Sequence, residues 1–130
     1  MKKRVRRGAS KSGGRNYLLH KEMARKMVLE KIARFNTFYN FKLSKVAIRD
    51  TRTRWGSCSS RGNLNFNYKI VFLPDSLSDY IVVHELCHLA EFNHGPGFWA
   101  LVAKMVPDYK ERRQQLREIK LGNKIGLSLD

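Results

Sequence analysis

The sequence predicts an α+β domain in which about four helices pack on a small, mainly antiparallel sheet. Three observations carry this. A run from Tyr17 to about Phe35 spaces its apolar residues at helical steps. The segments Lys45–Arg49 and Asn63–Tyr68 alternate apolar with polar residues, as half-buried strands do. From Ser76 onward helical spacing returns, broken at Asn93–Gly97 and at Pro107.

Taken in order, residues 1–15 are rich in Lys, Arg, Gly and Ser and read as a flexible basic tail. A solvated leader is favoured over a polyanion-binding arm, since a basic end is tolerated without a partner. The first helix carries Leu18, Met23, Met27, Ile32 and Phe35 at three- to five-residue steps, with cations between them. Its lone His20 reads as an ordinary surface or core histidine. Asn36 to Asn40 ends the run. Lys45–Arg49 is a strand with one wet face, Trp55–Gly62 supplies turn chemistry, and Leu64, Phe66 and Tyr68 share one face of a second strand. Ile70–Leu73, stopped by Pro74, reads as a third short strand or an extended link.

Ser76-Leu77-Ser78-Asp79 has the form of a capping box, with Ser76 as N-cap, opening a helix from about Leu77 to Phe92. Shorter helices from about Phe98 to Met105 and from about Asp108 to Lys120 follow, and 121–130 reads as a loose tail. One domain over 16–120 accounts for the pattern.

The chain has 130 residues, 42% of them hydrophobic, so it can build a real core. Lys+Arg 26 against Asp+Glu 11 gives a net charge of +15. That balance suits polyanionic partners such as nucleic acid, or else reflects a general cationic bias. The basic N-terminus is not followed by an apolar stretch, and no apolar run approaches the ~20 residues of a membrane span. Cys58 and Cys87 have neither CxxC nor finger spacing, which fits a reducing cytoplasm. A cytoplasmic monomer without a membrane partner is expected.

The chemistry concentrates in His84-Glu85-Leu86-Cys87-His88, followed by His94. On a helix, positions four apart point the same way, about 6 Å along the axis, so His84 and His88 can reach one zinc ion. Glu85 flanks these ligands without being one. A carboxylate there can take a proton from metal-activated water and return it to a leaving amine. Val82, Leu86 and Leu89 fall on the other side, where they anchor the helix. The competing reading is a helix with two polar histidines and an incidental glutamate. The cap, the amphipathic setting and the third histidine favour metal.

His94 lies ten residues after His84, the interval of the long metzincin motif. That motif has glycine seven residues after its first histidine, where this chain has Glu91, so metzincin membership is not expected. Glu91 is the rival third ligand. It sits a further turn along the helix, where the same ion is awkward to reach, so His94 is preferred.

Six motifs occur in order: Arg52–Cys58, Gly62–Asn67, Val83–Leu89, Asn93-His94, Phe98-Trp99 and Pro107–Lys110. Together they resemble the YgjP-like metallopeptidases, relatives of the SprT-like and WLM zinc proteases. The resemblance implies a compact zincin-like fold, one Zn2+ held by His84, His88 and His94, and Glu85 as general base. The SprT-like and WLM relatives suggest proteolysis near DNA, an analogy that the charge would suit.

Trp55, Gly56 and Ser57 have two readings: a cleft-lining strand to which a peptide adds, or core and turn residues. Tyr109 could stabilise an oxyanion, although a structural role is favoured. Phe98 and Trp99 are expected to clamp the His94 turn onto the active helix. The expectation is a zinc-dependent metallopeptidase acting on protein or peptide. Its rivals are a basic nucleic-acid-binding module with a structural metal and a metal-dependent hydrolase of non-peptide substrates. A structural zinc normally closes with four protein ligands, and three convincing ones are present, which favours the enzyme.

Overall fold

The structure, a computed structural model, describes residues 12–121 together with 124, 125, 128 and 129. Most of the basic tail expected over 1–15 lies outside the described residues, but its last four already belong to a helix. This helix, α1, spans Ser12–Tyr39. Its buried stripe is Ala24, Val28, Ile32, Phe35 and Tyr39, spaced at steps of three and four residues. Two of the apolar positions expected to pack do not: Leu18 is 73% and Met23 59% exposed. Met23 lies about 140° around the helix from the centre of that stripe, and Leu18 about 80°.

Asn40 ends α1 with a left-handed backbone, φ 59°, which asparagine tolerates better than most residues. The Asn36 side chain locks the exit: it donates to the Phe41 carbonyl and accepts from the Phe41 N–H, both at 2.8 Å.

Three strands follow: β1 (Val46–Arg49), β2 (Arg54–Cys58) and β3 (Leu64–Asn67). The turn between β2 and β3 needs a positive φ of 85° at Gly62, and the Ser59 hydroxyl accepts from the N–H groups of Arg61 and Asn63. β3 folds back between the first two strands, pairing antiparallel with β2 and parallel with β1. A fourth strand, β6 (Ser128–Leu129), pairs parallel with β2. The sheet, in order β1-β3-β2-β6, is therefore mixed rather than mainly antiparallel. Successive strands do alternate in direction, but β1 finds its neighbour in β3 and not in β2.

The extended segment expected at Ile70–Leu73 is instead a 3-10 helix, Tyr68–Phe72, started by the Asn67 side chain accepting from the Lys69 N–H. The Asn67 amide also donates to the carbonyls of Thr51 and Arg54, which pins the β1–β2 link. Tyr68 and Ile70 are buried, so the segment packs as a plug.

Helix α2 (Asp75–Cys87) is capped by Pro74, with no side-chain cap bond. Ser76 therefore lies inside the helix, and Asp79 serves elsewhere. It sits 2.7 Å from Lys31 and 3.0 Å from Arg34, joining α2 to α1. All residues from Tyr80 to Cys87 are buried, as in a helix covered on every side. Helices α3 (Pro96–Met105) and α4 (Tyr109–Arg117) complete the domain, and the Tyr39 hydroxyl donates to the Leu101 carbonyl at 2.6 Å. Beyond α4, β4 (Lys120–Leu121) pairs antiparallel with β5 (Lys124–Ile125). Strands thus occupy part of the segment expected to be a loose tail. No helix among the described residues is long and apolar enough to cross a membrane.

Candidate metal centre

Helix α2 was expected to continue to Phe92, but it stops at Cys87 with His88 at its C-cap. The last turn tightens: Leu89 N–H donates to Leu86 and Ala90 N–H to Cys87, three residues back. The chain then reverses before α3, which starts at Pro96. Proline at the first helical position is tolerated and disfavours helix at Gly95. This reversal carries His94 back over the helix that supplies the other two histidines.

His84 Nε2 lies 3.3 Å and His88 Nε2 3.0 Å from His94 Nε2. Nitrogens ~2.1 Å from a tetrahedral ion stand about 3.4 Å apart, so the spacing suits one metal ion. Ligand atoms of the three histidines all lie within 4.8 Å of one another, and this is the only group of three or more His, Cys, Asp or Glu so placed among the described residues. Glu91, the rival ligand, is absent from it. Its carboxyl group lies against Gly97 in the first turn of α3, where an added Cβ would come within 3.2 Å of it.

The other ring nitrogens support the same assignment. His88 Nδ1 is 3.1 Å from the Glu91 carbonyl, an acceptor only, so Nδ1 carries the proton and the Nε2 lone pair is left for a metal. His84 Nδ1 is 3.4 Å from the Tyr80 hydroxyl. Burial holds the Tyr80 phenol above its usual range, with Arg113 opposing and Glu85 reinforcing, so it stays neutral. Neither partner was singled out in the sequence, although Tyr80 lies four residues before His84, on the same helix face.

Aromatic rings fix the cluster from behind, as expected for Phe98 and Trp99. Phe98 is fully buried and stacks on His88 with ring centroids 4.4 Å apart, and Trp99 stacks on His94 at 5.9 Å. Tyr109 stacks in turn on Trp99 at 4.8 Å and so supports the His94 ring through it.

Glu85 is fully buried at the sheet side of α2. A Cβ added to Gly56 would stand 3.2 Å from its Cγ and Oε2, so β2 passes directly over the carboxylate. Gly56 thus faces the site. Its neighbours do not: Trp55 is fully buried in the core, and Ser57 is turned to the other face, where its hydroxyl accepts from Asn65 at 3.3 Å. Past the end of β2, Ser59–Gly62, Lys42 and Phe92 line a groove of about 400 Å³ that opens beside His88. His84 and His88 are buried while His94 is exposed, so the cluster is reached from solvent on the His94 side.

Two comparisons with known proteins bear on the fold and the family of the chain. The crystal structure of the metallopeptidase zymogen of Pyrococcus abyssi abylysin superposes with a TM-score of 0.62 at 23% identity, covering 68% of this chain and 90% of that one. That likeness establishes the fold. No curated protein matches the chain. The family description "YgjP-like, metallopeptidase domain" matches residues 4–119, nearly the whole chain. The chain therefore belongs to the YgjP-like metallopeptidase family and is a metal-dependent hydrolase.

Proposed function

We propose that this metal-dependent peptidase holds one zinc ion through His84, His88 and His94 and uses Glu85 as its general base. The observation that carries the reading is that His94 Nε2 comes within 3.0 Å of His88 Nε2 and 3.3 Å of His84 Nε2, above the helix that also carries the buried Glu85. An all-nitrogen donor set suits zinc, and three protein ligands leave a fourth position for water or substrate. A zinc ion held by His84, His88 and His94 would supply Lewis acidity at a peptide carbonyl and bring the pKa of water toward ~7. Glu85 accepts the proton of the attacking water and passes it to the departing amine. The Glu91 carbonyl holds His88 in the ligating tautomer, and the Tyr80 hydroxyl orients the His84 ring through its Nδ1.

The substrate is a protein or peptide segment in extended form. It lies along β2 at Gly56, where the chain runs closest to Glu85, and continues toward the groove beside His88. Trp55 and Ser57 support that strand rather than touch substrate, and Tyr109 acts through Trp99.

A net charge of +15 supports recruitment of the peptidase to nucleic acid. The reading extends to a monomer in a reducing compartment, consistent with Cys58 and Cys87 forming no disulfide. Replacing Glu85→Gln tests the core of the reading. The variant keeps zinc, measured by elemental analysis, and loses casein hydrolysis by about 10²- to 10⁴-fold. Hydrolysis at the wild-type rate would remove Glu85 from the mechanism.

A further inference from the structure

We infer that β6 occupies the peptide-binding edge of this peptidase, so that the segment Ser128–Leu129 is a built-in competitor of substrate. The inference rests on the reading of β2 as the substrate strand. β3 pairs with one side of β2, which leaves the other side of β2 as the edge of the three-stranded β1-β3-β2 array. An open strand edge is a ready template for an extended peptide. Here that edge is already taken: Ser128 pairs with Arg54 and Leu129 with Gly56.

The register matters. Gly56 is the residue whose Cα faces Glu85, so the β6 ladder reaches the point on β2 nearest the general base. A substrate strand laid along β2 at Gly56 and β6 cannot use the same backbone groups at once. Leu129 adds an anchor, because its partly buried side chain packs against the hydrophobic core. The contact is also built to open. It comprises two residue pairs with a shift of register between Arg54 and Gly56, far short of the length at which paired strands are stable alone. Opening and closing of β6 therefore sets the fraction of molecules that can accept substrate, and lowers apparent affinity by that fraction.

The test uses the full chain loaded with zinc, compared with Leu129→Asp, which removes the apolar anchor, and Leu129→Met, which keeps it. The probe is a fluorescein-labelled synthetic peptide of residues 124–130, followed by anisotropy, with casein hydrolysis measured in parallel. If β6 fills the edge about nine-tenths of the time, the probe binds Leu129→Asp about tenfold more tightly than the wild type or Leu129→Met. Casein hydrolysis at low substrate rises in step. Equal binding to all three proteins, or binding to none, overturns the self-occupancy. The expected binding pattern without casein hydrolysis by any of the three leaves the self-occupancy standing and defeats the peptidase reading instead.

Discussion

His88 Nε2 and His94 Nε2 face each other at 3.0 Å across a chain reversal that contains no helix. With His88 Nδ1 bonded to the Glu91 carbonyl, the facing lone pair of His88 has no proton of its own to offer. A divalent cation between the rings satisfies this arrangement, and binding it stabilises the folded state by mass action. At zinc a hundredfold above its Kd the gain is about 2.7 kcal/mol, which calorimetry reads as a higher Tm. His94→Ala is expected to lower bound zinc well below one per chain and to abolish the Tm shift. A full zinc complement in that variant would exclude His94 as a ligand.

Gly56 is kept small by two neighbours. A Cβ there would meet the Asn65 carbonyl at 3.1 Å as well as Glu85 at 3.2 Å. Gly56→Ala therefore displaces the carboxylate or the strand, costing about 1–3 kcal/mol of stability as local overpacking. A shift of ~1 Å in a reacting group can cost about 10²-fold in rate, so hydrolysis falls while zinc content is unchanged. Unchanged kcat in this variant would mean that β2 does not set the position of Glu85.

Lys31 is buried on α1 and is held by two carboxylates of very different exposure, Asp79 (19%) and Asp75 (87%). Asp79→Ala removes the closer and less solvated partner and is expected to cost about 2 kcal/mol in urea unfolding. Asp75→Ala is expected to cost less than about 1 kcal/mol, because an exposed ion pair is screened by water. Equal costs would show that burial does not grade the two interactions.

Burial pushes the Cys87 thiol up to about 12 and raises the neighbouring Tyr39 phenol as well. Both groups are neutral in the folded state where the unfolded chain would already ionise them. The stabilising effect of the thiol is complete below its unfolded value of 9.0 and is lost as pH rises toward about 12, while that of the phenol begins to fall only above its unfolded value of 10.0. Tm is expected to fall steadily over that window, with a shallower fall in Cys87→Ala. Iodoacetamide should label Cys87 at pH 8 only after unfolding, and rapid labelling of the folded protein would contradict a buried, protonated thiol.

The parts of this protein legible in its sequence are those governed by contacts within one or two turns of chain. The four-residue spacing of His84 and His88, with Glu85 beside the first, is a property of any α-helix, and the alternation in Asn63–Asn67 is a property of any strand. Tyr80 was legible by the same rule and was passed over. Helix limits were less so. Pro74 rather than Ser76 caps α2, and Asp79 is engaged by Lys31, a residue on a different helix.

Tertiary structure alone decided how the local pieces meet. It set β3 between β1 and β2, laid β6 against β2, turned Glu91 toward Gly97, and stacked Phe98 and Trp99 behind the imidazoles. Each of these joins residues that do not share one helix or strand, and is settled by which side chains can be buried together. Local periodicity constrains one element at a time and says nothing about such pairings. That is why His84, Glu85 and His88 are set on one helix by spacing, whereas His94, preferred over Glu91 from its interval, meets the other two histidines only because the chain closes over α2.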